Sequence, residues 1–162
     1  MAGSSLHDIV VNWGSFYANH AAVRTFVSFL HVGALMAAGG AAVTADRGIL
    51  AAGRLDDHAR LQQLTALHHT HRIVLTGLAF IALSGSLLFA SDVDTFLYSR
   101  IFWTKMSLLA LLLVNGAVLV SAEGRAAGGA AGAWRTLRFT ARASVALWFL
   151  IILGGVALLN IG

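Results

Sequence analysis

Four stretches of apolar residues, about 22–45, 71–91, 101–121 and 143–161, constrain this chain more than any other feature. Each approaches the ~20 residues that a helix needs to cross ~30 Å of hydrocarbon at 1.5 Å per residue. A membrane-spanning strand would show alternation with period two, and none of the stretches does. Backbone amides inside a bilayer must find partners within their own segment, so each stretch reads as a transmembrane helix. Only 11% of the residues are charged, against roughly 25% in soluble domains. The expected architecture is therefore all-α. Residues 1–162 form one integral membrane domain, an antiparallel four-helix bundle with an N-terminal interfacial amphipathic helix.

That interfacial helix is expected over residues 4–19. Leu6, Ile9, Val10, Trp13, Phe16 and Tyr17 share a helical face, while Asp8, Asn12, Ser15 and Asn19 lie mostly opposite. Ser5 and Asp8 resemble a capping box with aspartate in the glutamate position. Trp and Tyr favour the headgroup zone, so the segment reads as lying on the membrane surface. Residues 1–20 lack the basic start and continuous apolar run of a cleavable signal peptide.

The loops set the orientation. Residues 46–60 and 122–142 carry Arg47, Arg54, Arg60, Arg125, Arg135, Arg138 and Arg142. The other side offers Arg24, Arg100 and Lys105 together with Asp8, Asp92 and Asp94. The positive-inside rule then places both longer loops in the cytoplasm and both termini outside, in a cell inner (cytoplasmic) membrane. The net charge of +4 reads as topology and lipid contact, and no nucleic-acid partner is expected. Leu61, Leu64, His68, His71 and Leu75 fall on one stripe, and Asp56 or Asp57 can cap it. The second span is therefore expected to begin near residue 56 and to project from the membrane.

Cysteine is absent, which excludes disulfides, iron–sulfur clusters, thiolate metal sites and covalently attached haem. Proline is absent too, so no span should carry a proline kink. Any metal must be held by histidine, methionine or oxygen. Polar groups are expensive in hydrocarbon, which directs attention to His31, His68, His69, His71, Arg72, Ser84, Lys105, Asn115 and Ser144.

His31 lies above a row of small residues, Ala34, Ala38, Ala41 and Ala45, with Gly39 and Gly40 alongside. Such a row admits a closely packed helix or a flat cofactor. In a hairpin centred near residue 51, His31 and His71 lie at similar depth. Two histidines facing each other across four helices is how b-type cytochromes hold haem. On that reading His31 and His71 ligate the iron of a non-covalent haem b, with His68 beside them. Lys105 or Arg72 then meets a propionate. The competing reading for His68, His69, His71 and Arg72 is a polar belt at the headgroups, and for Lys105 a snorkelling lysine or a salt bridge to Asp92 or Asp94.

The stretch Arg72 to Ser86, a short acidic loop, and then Phe102-Trp103-Thr104-Lys105-Met106 before a long apolar helix resemble small bacterial membrane proteins related to the copper-resistance D family. The resemblance runs over about residues 20–160 and implies a four-helix fold and copper import. Only Met36 and Met106 lie in the spans as soft ligands, and no Met-rich loop occurs. Walker, dinucleotide, nucleophile-elbow and HExxH motifs are missing. Three functions follow as expectations. One is a haem b electron carrier, with quinone as a possible partner. The second is an accessory subunit of a larger membrane complex or a homo-oligomer. The third is metal handling by the histidine cluster. An electron carrier or accessory subunit is expected rather than a catalyst, with the lipid bilayer as the first partner.

Overall fold

The computed structural model describes the backbone of residues 2–52 and 57–161, and the side chains of these except 2–6, 57–59, 61, 63, 66, 68, 69, 159 and 161. The elements are α1 (Ala2–Asn19), α2 (Ala21–Ala52), α3 (Asp57–Ser91), α4 (Val93–Tyr98), α5 (Arg100–Ala127) and α6 (Ala133–Ile161). No strand occurs among the described residues. Four helices are long and apolar enough to cross a membrane: Ala21–Ala52, Thr70–Ser91, Arg100–Ala127 and Ala133–Leu158.

The helices that hold these segments all run past the apolar windows because nothing in the sequence stops them. With no proline, a helix ends only where a side chain or glycine offers the backbone an alternative. The Ser99 hydroxyl accepts from Phe102 N at 3.3 Å and starts α5; Asp92 accepts from Thr95 N at 3.3 Å and starts α4. Between α5 and α6, Gly129 and Gly132 take φ of 73° and 79°, a left-handed backbone that residues with a Cβ rarely adopt. Helix α3 (Asp57–Ser91) runs unbroken from its polar half into its apolar half, and the expected start near residue 56 lies outside the described residues. Asp56 itself lies outside the described residues, as does the side chain of Leu61. Helix α1 begins at Ala2, so Ser5 and Asp8 lie within the helix rather than at its start.

Helix α2 packs against both α3 and α6, and α6 against α5, whereas α3 and α5 touch little. The closest approach is between α2 and α3. A Cβ on Gly77 would meet the Ala38 Cβ at 2.6 Å, and Ala38 is fully buried. Gly39 likewise admits the Trp148 ring of α6. Small residues let these backbones approach, which is how apolar helices gain packing energy where lipid offers no hydrophobic drive.

Two buried clusters result. Ile49, Leu67, Leu119, Ala122, Leu137 and Ala141 form the one nearer the arginine-rich loops. Ala38, Ala42, Ile81, Leu112, Trp148 and Ile151 form the middle one. The outward faces stay apolar, with Phe29, Met36, Leu75, Val114 and Leu153 all more than half exposed, as suits contact with lipid.

At the far end α1 docks on α3. Trp13 Nε1 donates to the Leu87 carbonyl at 2.9 Å, and Gly14 lies against the Ser91 carbonyl. The apolar stripe of α1 is divided by this contact: Trp13 and Tyr17 are half-buried, whereas Ile9 and Phe16 are exposed. Phe89, Phe96 and Phe102 pack together nearby, with ring centroids 5.4–6.2 Å apart.

Candidate functional site

Each long helix contributes a polar side chain to the end nearer the arginine-rich loops. From α2 comes Asp46, from α3 His71, from α5 Glu123 and from α6 Ser144. The apolar spacing explains their placement. Ala38, Ala42, Ile49 and Ala52 mark the buried face of α2 at steps of three, four and seven, and Asp46 falls in the gap, only 4% exposed. Glu123 follows Ala122, which is fully buried, on α5. Ser144 stands three residues after the fully buried Ala141.

His71 Nε2 lies 3.4 Å from Glu123 Oε1, and this contact spans the seam where α3 and α5 otherwise scarcely meet. Ser144 and Glu123 both lie near enough to the Asp46 carboxylate to interact with it electrostatically. Asp46 Oδ2 is buried without a hydrogen-bond partner, and Glu123 Oε1 has only the His71 contact. About two turns from Glu123 along α5, Asn115 Nδ2 donates to the Thr140 carbonyl at 3.0 Å, tying α5 to α6. Accessibility falls from the His71 side chain at 25% through Glu123 at 14% to Asp46 at 4%, so His71 is the door and Asp46 the interior.

Chemically, this is a pair of carboxylates and an imidazole in a low-dielectric setting. Burying two like charges is costly unless positive charge accompanies them. A proton supplies that charge without any ligand shell. Among the described residues, no three His, Asp or Glu side chains are grouped so as to hold a metal ion.

A second polar group lies toward the other end. His31 Nδ1 lies 3.0 Å from Ser84 Oγ. The single hydroxyl hydrogen of Ser84 goes to the Phe80 carbonyl at 2.5 Å, so His31 Nδ1 is the donor. Gly85 leaves room for the ring, and a Cβ there would meet His31 Cε1 at 3.3 Å. Lys105 is within electrostatic range of His31. Its chain turns against α6, with Cβ beside Gly154 and Nζ beside Gly155.

The structure does not bring His31 and His71 together, which corrects the expected pairing. His31 sits at Ser84, and Ser84 is thirteen residues from His71 on the same helix. At 1.5 Å per residue that is about 20 Å. No single iron bonds both imidazoles in this arrangement. The physical reason is register: His31–Ser84 and Ala38–Gly77 both sum to 115, whereas a hairpin centred at 51 requires 102. The alanine row below His31 is also taken, since α3 packs into it at Gly77. Arg72 is exposed, and it shares no described contact with Lys105. The His68 and His69 side chains lie outside the described residues.

Asp46 and Glu123 escape a reading by hydropathy because they fall just beyond the windows ending near 45 and 121. The signal that finds them is the three- to four-residue spacing of small apolar residues continuing past those ends. Comparison with known protein families, with curated proteins and with solved structures finds no match.

Proposed function

We propose that this chain is a multi-pass membrane protein that handles protons through Asp46, Glu123 and His71. The observation that carries the reading is the burial of two mutually sensing carboxylates, one of them against an imidazole, within helices able to cross a bilayer. Intramembrane acid and imidazole groups are the usual parts of proton relays. A proton arriving at His71 passes to Glu123 across their contact. The nearby Asp46 carboxylate favours retention of that proton on Glu123, because two like charges are costly to bury together.

The finer architecture belongs to the same proposal. The four helices form an antiparallel bundle, which the constant index sum of the α2–α3 contacts supports. The arginine-rich loops face the cytoplasm and both termini lie outside, in a cell inner membrane. Helix α1 rests at the outer interface, where Trp13, Tyr17 and Trp103 suit the headgroup zone.

The test is proton flux into liposomes holding the purified protein and a pH-sensitive dye, driven by a potassium diffusion potential. Acidification above that of protein-free vesicles, lost in Asp46→Asn and Glu123→Gln variants that remain helical and monodisperse, is the expected result. Flux no faster than in empty vesicles, or unchanged in both variants, refutes it. Copper uptake without proton flux in the same vesicles would favour the reading implied by the copper-resistance D resemblance.

A further inference from the structure

Helix α6 opens with Arg135, Arg138 and Arg142, at steps of three and four. At 100° per residue they share one face with Phe139, Ala146, Phe149 and Leu153. That face is open: Phe139 is 72% exposed, Phe149 63% and Leu153 62%. The three arginines and Phe139 stand side by side on this surface of α6. No carboxylate among the described residues pairs with them, since Glu123 faces His71 and Asp46 faces Ser144. Ser144 is half a turn away, on the opposite side of α6.

The stripe changes character once along its length. It is cationic from Arg135 to Arg142, roughly 10 Å, and apolar from there to Leu153, roughly 16 Å, at 1.5 Å per residue. One leaflet contributes about half of the ~30 Å hydrocarbon core. Guanidinium groups bind phosphate oxygens bidentately, and an apolar face below them matches an acyl chain. A soluble anion accounts for the arginines but leaves the apolar continuation without a purpose.

We propose that this stripe is a binding site for an anionic phospholipid, its phosphate among Arg135, Arg138 and Arg142 and its acyl chain along Phe149 and Leu153. Basic clusters where a span leaves the membrane are the usual receivers of such headgroups. The site rests on the helices crossing a bilayer and is independent of the acid and imidazole cluster.

The experiment is native mass spectrometry of the whole chain in a neutral detergent, titrated with phosphatidylglycerol or with phosphatidylcholine of the same acyl chains. Phosphatidylglycerol should be retained and phosphatidylcholine lost. Arg135→Gln and Arg138→Gln should each weaken retention roughly five-fold, while Arg47→Gln leaves it unchanged. Inorganic phosphate at millimolar concentration should not compete. Equal retention of the two lipids overturns the proposal, and needs no variant to fold. So does retention undiminished in both arginine variants, full displacement by inorganic phosphate, or a dimer that buries the stripe and ignores phosphatidylglycerol.

Discussion

Replacing Gly77 by alanine places a methyl group where α2 and α3 come closest. Its Cβ would stand 2.6 Å from the Ala38 Cβ, with the Ala34 carbonyl oxygen and the Ala38 Cα both at 3.4 Å. Carbon atoms rest about 3.5–4.0 Å apart, so the helices must separate by roughly 1 Å or lose their contact. Neither partner can rotate away, because one is backbone and the other a methyl fixed to it. Overpacking of this kind costs about 1–3 kcal/mol. Alanine in place of glycine also favours the helix by up to about 1 kcal/mol, which partly offsets the clash. Gly40 isolates the steric part: it is exposed, and a Cβ there meets nothing within 4 Å. Gly40→Ala should therefore be neutral or stabilising, and Gly77→Ala less stable than Gly40→Ala by about 1–3 kcal/mol. The measurement is unfolding by SDS in mixed micelles, followed by far-UV circular dichroism. Adding Ala38→Gly removes the opposing methyl and should recover much of the loss, a coupling that a double-mutant cycle reads directly. If the two alanine variants agree within about 0.5 kcal/mol, or Ala38→Gly rescues nothing, the packing argument is wrong.

Ser84→Ala removes the acceptor of the His31 Nδ1 hydrogen bond and should cost about 0.6–1.7 kcal/mol, the range for interhelical bonds in membranes. Unfolding in mixed micelles, together with the His31 nitrogen resonances, checks it; if neither moves, the assigned donor is wrong. A cysteine at position 128, in the α5–α6 connection, should resist an impermeant maleimide added to intact cells and react after lysis. Reaction in intact cells would reverse the orientation in which both termini lie outside.

Much of the architecture is legible in one dimension. The four helices able to cross a membrane are visible as apolar windows, because the free energy of entering hydrocarbon is nearly a sum over residues. The continuity of α3 from its polar half into its span is visible too, because Leu64, His71 and Leu75 keep helical spacing. The site is less legible. His71, Ser84, Ser144 and Asn115 stand out as polar residues in the spans, yet which of them meet is not a property of any one segment. Asp46 and Glu123 are hidden by the convention that a span ends where hydropathy falls. Their helices continue for one or two more turns with the same buried face inward.

What the sequence determined by itself is the number of helices long and apolar enough to cross a membrane, their all-helical character and the absence of cysteine chemistry. These follow from additive transfer energies, from backbone groups that must pair locally in lipid, and from composition. The tertiary structure alone decided partnership. An index sum of 115 instead of 102 between α2 and α3 slides one histidine about 20 Å past the other. It delivers His31 to Ser84 and leaves His71 to Glu123. That register is set by where two small residues, Ala38 and Gly77, allow the backbones to touch. Such an optimum depends on two helix surfaces at once, which is why it cannot be read from either segment alone.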